Sequence, residues 1–201
     1  MPDANKIKYG IKNVYFWEYN VSDAGVVSFG TPYHALSAVS ATPSQDSNFE
    51  DIPADDTIWW TDAIDGPDTI EMTFVRLEDE FKKRFCGYVN TTDGGLALPI
   101  NPKKQALCMA LEFEGDKHNN RLVYYNGICG PITREFETTS RESKNVKNDV
   151  VSIRFIGDAA SGLMKNNYKP TDSGYNSLFT SPQPPTVVST STSTSTSTST
   201  S

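Results

Sequence analysis

The spacing of apolar and polar residues along this chain is mainly that of β-strands. Where they alternate with a period of two, successive side chains face opposite sides of a strand. The first such segment, Lys6 to Val21, has large side chains on both faces: Val14, Phe16 and Glu18 on one, and Tyr15, Trp17 and Tyr19 on the other. A turn at residues 22–25 leads into Val26 to Phe29, which predicts an antiparallel hairpin.

Six further runs have strand character and end near Gly, Pro, Asn or Asp: Thr57 to Thr61, Thr69 to Arg76, Ala106 to Phe113, Arg121 to Ile128, Ile132 to Thr139 and Val150 to Ile156. We expect a turn around Asp65-Gly66-Pro67 to join the first two. The connection EGDKHNN predicts that the third and fourth form a hairpin.

Residues 38–56 interrupt the strand pattern, because they are mostly small and polar and include two prolines. Pro43 and Pro53 lack the backbone N–H that the interior of a sheet would use. The segment Ala38 to Asp56 is therefore predicted to be a long loop, and loops of this length commonly carry a function.

One segment changes period, because Leu77, Phe81 and Phe85 recur every four residues and form the apolar stripe of a short helix. Acidic residues stand at its start and basic residues at its end, which suits the helix dipole. Gly87 can adopt the left-handed conformation that ends a helix. Residues 77–85 are therefore the one helix that the sequence predicts.

These elements predict a mainly β fold: a two-sheet β-sandwich or barrel flanked by one short α-helix, with a long loop and a disordered C-terminal tail. We expect the β domain to span residues 1–160, ending near Gly157, and a polar, Pro-containing arm or linker to span 161–188. Residues 189–201 alternate strictly between Ser and Thr. They have no apolar side chain with which to offset roughly 1–2 kcal/mol of backbone entropy per ordered residue.

Composition narrows the classes of function. The 201 residues include nine Tyr, ten Phe and three Trp, enough for one domain with an aromatic-rich core. The net charge of −7 argues against a protein that holds nucleic acid through its phosphates. The N-terminal residues lack the apolar core of a secretory signal, and no apolar run approaches the roughly 20 residues of a membrane-spanning helix. We therefore expect neither export nor membrane insertion.

Residues that usually carry chemistry are few and scattered. His34 and His118 stand far apart in polar surroundings, which predicts exposed histidines rather than a catalytic or metal site. Cys86, Cys108 and Cys129 form no CxxC pair, so we expect buried free thiols. Asp62, Asp65 and Gly66 lack the ligand spacing of a calcium loop. We predict no catalytic, cofactor-binding or metal residue, and therefore no enzyme and no cofactor.

Acidic residues are concentrated in one part of the chain. Between Asp46 and Glu80 there are twelve of them against a single basic residue, Arg76. Three readings stay open: an ordinary solvated surface, a surface that repels something negative, and a surface that docks on a basic neighbour. In the same region Trp59 and Trp60 are adjacent, so one can face the core while the other faces outwards.

Several segments, in their order and spacing, resemble the major tail proteins of long-tailed, non-contractile phages of Gram-positive bacteria. They are KYGIKNVYF followed by GVVSFGTP, then LEDEFKKRFCG, then ALEFEGDKHNNRLVYYNGICGP with a closing VVSIRF. The resemblance covers Lys6 to Ile156 and excludes the Ser-Thr tail. The family usually reads Leu-Pro-Asp-Asp-Phe at the helix, and Glu78 stands here where proline is common.

The resemblance implies a non-enzymatic virion protein, made in the host cytoplasm, that assembles into hexameric rings. The rings stack into the tail tube, through which DNA is ejected without sequence-specific binding. It implies as partners further copies of the chain and the tape-measure, tail-terminator and distal tail proteins. In such tubes the sheets of six subunits join into an inner barrel, and a long loop and the terminal arms grip neighbouring rings.

Two sets of candidate residues follow from this resemblance. The segment Ala38 to Asp56 is the candidate ring-stacking loop, with Ser44, Gln45, Phe49 and Ile52 as contacts. The candidate acids of the tube lumen, where carboxylates would weaken the binding of DNA to the wall, are Glu50, Asp51, Asp55, Asp56, Asp62, Asp65, Asp68 and Glu71.

Two other classes of function stay open. A carbohydrate- or surface-binding β-sandwich module on a Ser/Thr stalk would account for exposed aromatic residues and for the tail, although such a module needs export. An enzyme is the third reading and would require a cleft with perturbed titrating groups. Monomeric glycan binding would favour the module, whereas assembly into rings would favour the tail protein.

Overall fold

The computed structural model of the chain describes residues 10–54, 57–114, 119–134, 147–184 and 186, with side chains given except at 47–49, 51–54 and 57–65. The described part is mainly β. The expectations for His118 and for a disordered Ser-Thr tail concern residues outside these ranges.

Eleven strands and one helix make up the described part: β1 Gly10–Val21, β2 Val27–Phe29, β3 Tyr33–His34, β4 Ala38–Ala54, β5 Thr57–Phe74, α1 Asp79–Phe85, β6 Val89–Asn90, β7 Leu96–Ala97, β8 Leu107–Glu114, β9 Arg121–Arg134, β10 Asp149–Phe155 and β11 Lys165–Tyr168. The main sheet is antiparallel, in the order β2-β1-β8-β9-β10-β5-β4. Two short strands add to it, since β3 pairs with β1 and β11 pairs with β9, while β6 and β7 form a separate hairpin.

The predicted N-terminal hairpin is confirmed. β1 and β2 are antiparallel neighbours, and Gly25 in their turn has a φ of +76°. Along β1 the two faces alternate as predicted, with Val14 and Phe16 in one buried cluster and Trp17 in another. The alternation begins after a bulge at Asn13, where φ is +50° and the register with β8 shifts.

The predicted loop at residues 38–56 is wrong, because Ala38–Ala54 forms β4 and pairs along its length with β5. Its prolines are tolerated for two reasons. β4 is the last strand of the sheet, so that one edge needs no backbone donor, and the register shifts between Ile52 and Pro53.

The predicted turn at Asp65-Gly66-Pro67 is also wrong, because Thr57–Phe74 is one continuous strand, β5. The register shift between Gln45 and Ser47 leaves Gly66 and Pro67 of β5 opposite the single residue Asp46 of β4, so β5 carries a bulge there. A Cβ on Gly66 would lie 2.5 Å from the backbone oxygen of Asp46, so only glycine fits this close approach. The Gly-Pro signal therefore marks a bulge rather than a turn.

The helix prediction is confirmed, with α1 beginning two residues after Leu77. Phe81 and Phe85 are fully buried, and Gly87 has a φ of +77°. Glu78 stands directly before the helix, and its carboxylate accepts a hydrogen bond of 3.0 Å from the hydroxyl of Tyr33. Burial, together with this hydrogen bond, raises the pKa of Tyr33.

One face of the main sheet and α1 enclose the principal core. Inward-facing residues of six strands form this core together with the helix. Its fully buried strand residues include Phe16, Ile70, Met72, Phe74, Leu107, Met109, Val151, Ile153 and Phe155. The ring of Phe81 lies 5.0 Å from that of Phe16 and 5.8 Å from that of Phe74. The helix therefore closes this side of the sheet.

The opposite face is covered over part of its area by residues 163–179, which we call the covering segment. The covering segment includes β11. Two residues of the segment, Tyr168 and Leu178, are buried with Trp17, Cys108 and Tyr125. The sheet therefore extends past the predicted boundary at residue 160, and β10 is not the last strand. Likewise, the predicted strand from Ile132 is the continuation of β9 through Gly130-Pro131.

Candidate assembly surface

The two longest strands reach beyond the rest of the sheet. β10 pairs with β5 only from Asp68 to Phe74, whereas β4 and β5 stay paired as far as Ala54 and Thr57. Residues 46–54 and 57–66, which we call the distal ribbon, therefore pair only with each other among the described strands. At 3.2–3.4 Å per residue, nine residues of β4 extend about 30 Å from the body.

The edge of β4 is the second exposed feature, because β4 ends the strand order on its side of the sheet. Within the described part, no strand pairs with the outer edge of β4, although part of β4 lies close to β1. Such an edge is a template for pairing with another chain. Pro43 and Pro53 interrupt its row of donors and so limit indiscriminate pairing.

The candidate ring-stacking residues all lie on β4 rather than on a loop. Ser44 and Gln45 are exposed at the base of the distal ribbon, and the hydroxyl of Ser44 donates a 3.2 Å hydrogen bond to the carbonyl of Thr69. Phe49 and Ile52 lie on the distal ribbon, where they pair in register with Ala63 and Trp60. Their side chains are outside the described part.

The candidate lumen acids fall into three groups. Glu50 and Glu71 are exposed, as a wall residue requires. Asp68 is buried and its carboxylate lies 2.7 Å from the ammonium of Lys165, so it does not suit a channel wall. The side chains of the other five lie outside the described part: Asp51, Asp55, Asp56, Asp62 and Asp65.

An open polar face lies next to the covering segment. On the outer side of β4, β5 and β10, the strand alternation presents short polar side chains and few charges: Thr42, Ser44, Thr69, Glu71, Thr73, Ser152 and Arg154. The guanidinium of Arg154 lies 3.9 Å from the carboxylate of Asp46, with both side chains mostly exposed. This face therefore offers a polar wall without a cluster of free cations.

An open groove of about 460 Å³ lies between α1, the β6–β7 hairpin and the end of β9, lined by Asp79, Lys82, Tyr88, Leu96, Ile132 and Arg134. Its charges are already paired, since Lys82 binds Asp79 and Arg134 binds the buried Asp149. The hydrogen bond from Arg134 lowers the pKa of Asp149, and that from Lys82 lowers the pKa of Asp79. The residues that line the groove include no His, Cys, Ser or Thr.

The covering segment is the feature that sequence reasoning missed. The guanidinium of Arg121 lies 3.8 Å from the ring centre of Tyr175 and 4.3 Å from that of Phe179, and it also binds Glu112 at 2.6 Å. The signal was present in the isolated aromatic residues of an otherwise polar stretch. The polar composition of the segment concealed this signal. A few apolar residues hold the segment in place, because each of them packs on the face of the main sheet.

Within the described residues, no three His, Cys, Asp or Glu side chains converge as metal ligands. His34 is exposed and stacks on Tyr15 with a ring separation of 4.3 Å. The helix that the structure describes is too short and too polar to cross a membrane.

Comparison of the chain with protein-family models gives no match, and comparison with curated proteins gives none either. The surfaces described above, together with the sequence motifs, therefore carry the functional argument.

Proposed function

We propose that this chain is a major tail protein of a long-tailed phage: a structural, non-enzymatic virion subunit that assembles into stacked, hexameric rings. The stacked rings form the tail tube, which conducts DNA during ejection and contacts the tape-measure, tail-terminator and distal tail proteins at its ends or inside. The observation that carries the proposal is the distal ribbon, which projects from a closed body and pairs only with itself in the described part.

The distal ribbon suits a protein that completes itself by association. An isolated two-stranded ribbon is at best marginally stable in water, because it has no third strand and no core beneath it. A neighbouring subunit would supply the missing surface. If the ribbon of one copy binds a different surface on the next copy, the contact is head-to-tail and can repeat along an axis.

The open polar face suits the wall of a conduit. DNA carries one negative charge per roughly 1.7 Å of its axis, and basic wall groups would retain it by releasing its counterions. Glu71 is exposed on this face, and the one cation among its residues, Arg154, lies near Asp46. Because screening at physiological salt reaches only about 8 Å, only carboxylates on the wall itself would repel the duplex.

The rival sugar-binding reading finds less support. Binding of sugar rings relies on exposed aromatic faces, but the exposed large apolar residues of the described part are Val, Leu and Ile. The aromatic side chains that the structure describes are buried or half-buried. Among the described residues, aromatic side chains that pack inside suit a stable building block better than a lectin.

Electron microscopy and sedimentation of the purified chain at high concentration test the proposal. We expect rings or tubes, and EDTA should leave them unchanged because the contact needs no metal. A variant in which residues 46–66 are replaced by Asn-Gly should remain monomeric with an unchanged β-type circular dichroism spectrum. Replacing residues 91–95 of the β6–β7 turn by Asn-Gly is the matched control and should assemble.

Two outcomes would contradict the proposal. The first is a full-length protein that stays monomeric at millimolar concentration, even with a tail-assembly initiator present. The second is a shortened-ribbon variant that assembles as the full-length protein does.

A further inference from the structure

Two of the three cysteines lie in the principal core. Cys86 directly follows α1 and Cys129 lies on the inner face of β9; both are buried in the same cluster of core residues. Cys108 is buried too, but it lies on the opposite face of the sheet, under the covering segment. Forty-two residues separate Cys86 from Cys129 in the sequence, so the fold alone brings them together.

The chain around residues 102–104 fixes this meeting. Gly87 has a positive φ, and a Cβ there would lie 2.8 Å from the Cβ of Pro102 and 2.9 Å from the carbonyl oxygen of Lys103. The next residue along the chain, Lys104, donates a 2.6 Å hydrogen bond from its ammonium to the carbonyl of Cys129. The end of α1 and β9 are therefore held against the same short segment.

Cys86 and Cys129 shift each other's pKa in opposite directions, and their surroundings make the two thiols unequal. The hydrogen bond from Cys129 lowers the pKa of Cys86, and the positive charges of Lys104 and Lys82 act in the same direction. The same hydrogen bond, together with burial, raises the pKa of Cys129. Cys86 thus has the character of an attacking thiol and Cys129 that of a resolving thiol.

We propose that Cys86 and Cys129 are an oxidisable dithiol that a small peroxide converts into an intramolecular disulfide between the end of α1 and β9. The Cys86 thiolate attacks one oxygen of hydrogen peroxide, the O–O bond breaks, and the departing hydroxide takes up the proton released by Cys86. The sulfur of Cys129 then attacks the Cys86 sulfenic acid. The S–O bond breaks and its hydroxide leaves as water with the proton of Cys129.

The balance is two thiols and one peroxide giving one disulfide and two waters, with two electrons passing to the peroxide. A small oxidant is required because Cys86 is only 2% exposed and Cys129 only 1%. Because both thiols are buried, the oxidant reaches them only when the core opens locally, and this opening limits the rate. The proposal does not depend on the function proposed above, because it concerns the core of a single subunit.

The test uses the full chain, fully reduced, freed of reductant and titrated with hydrogen peroxide. We expect an intact mass lower by two hydrogen atoms, and a count of thiols in denaturant that falls from three to one. Peptide mapping should show a single link between Cys86 and Cys129, and the oxidised protein should melt at a higher temperature. A Cys108→Ala variant is the matched control and should form the same link, whereas Cys86→Ala or Cys129→Ala should form none.

Mapping of the unsubstituted chain keeps the test decisive even if a variant fails to fold. Oxidation of the urea-unfolded chain should give mixed pairings that include Cys108, which shows what an unguided reaction produces. Three intact thiols after peroxide treatment of the folded chain would overturn the proposal. So would a link through Cys108, a dimer linked between chains, or sulfinic acid at Cys86 without a link.

Discussion

The same two strands, β4 and β5, behave differently in the body and in the distal ribbon. In the body, residues 68–74 of β5 lie between β4 and β10, and their inner side chains pack beneath α1. In the distal ribbon, β5 has β4 as its only described partner. The difference indicates that the body has a complete buried core, whereas the distal ribbon lacks a third strand and a core beneath it within the described part. Stability and assembly should therefore respond to changes in different residues.

The largest loss of stability should come from the contact between helix and sheet. Phe81→Ala removes a fully buried ring that packs on Phe16, Tyr33, Phe74 and Phe85. We expect the free energy of unfolding to fall by roughly 3–5 kcal/mol, as for other buried Phe→Ala changes. Urea denaturation measures it. Lys83→Ala, an exposed site on the same helix, is the control and should change it by less than about 0.5 kcal/mol; equal effects would contradict the picture of a closed core.

A smaller loss should follow from Asp149→Asn. The carboxylate of Asp149 binds Arg134 and accepts a 2.8 Å hydrogen bond from the amide of Leu77, just before α1. Loss of the charge should lower the free energy of unfolding by about 2 kcal/mol, in line with hydrogen bonds to charged groups.

The same residue should make stability depend on acidity. The pKa of Asp149 in the folded protein lies below its unfolded value of about 3.9. Its contribution is therefore present above about pH 4 and is lost as the pH falls through the folded pKa. Unfolding between pH 7 and pH 2 should show a flatter acid dependence for Asp149→Asn than for the native chain, whereas Asp93→Asn, in an exposed turn, should leave it unchanged. Identical slopes for all three proteins would argue against the pairing.

A still smaller effect is expected where the covering segment meets the sheet. Tyr175→Ala removes one ring from the guanidinium of Arg121 but leaves the buried residues Tyr168 and Leu178 in place. We expect a loss of about 1 kcal/mol, typical of a partly desolvated cation–π contact. Hydrogen exchange should show faster exchange at residues 165–180 than in the native chain, with β5 and β10 unchanged; equal acceleration everywhere would mean that the segment is no separate layer.

The smallest effect on stability should come from the largest excision. Replacing residues 46–66 by Asn-Gly removes the distal ribbon but no residue of the principal core, so the free energy of unfolding should change by less than about 1 kcal/mol while assembly is lost. In the full-length protein, amides of the distal ribbon should exchange quickly in the monomer and slowly in tubes. A large drop in stability would show instead that the ribbon belongs to the body.

The sequence predicted best what depends on near neighbours. Three features follow from residues that are close together in the sequence: the apolar stripe of Phe81 and Phe85, the left-handed Gly87 and the β1–β2 hairpin. The signal at Gly66 was ambiguous, because a turn and a bulge both favour Gly and Pro. Only the pairing with Asp46, twenty residues away in the chain, decides between them.

Contacts between segments far apart in the sequence were not predicted, because no local pattern encodes them. The two covered faces of β8 require that residues 163–179 return to it, and nothing local announces that return. The meeting of Cys86 with Cys129 depends in the same way on three separate segments. The candidate ring-stacking residues were expected on a loop but lie on strand β4, and their part in assembly stays a prediction.

The bulge at Asp46 and Gly66 lies where the distal ribbon leaves the body, and so it acts as an elbow. A bulge bends its strand and increases the local twist, which sets the direction in which an arm of about 30 Å points. Over that length, a change of a few degrees at the elbow moves the tip by an ångström or more. In a repeating assembly such an error would be copied at every level, so that one glycine would govern the pitch and straightness of the whole filament.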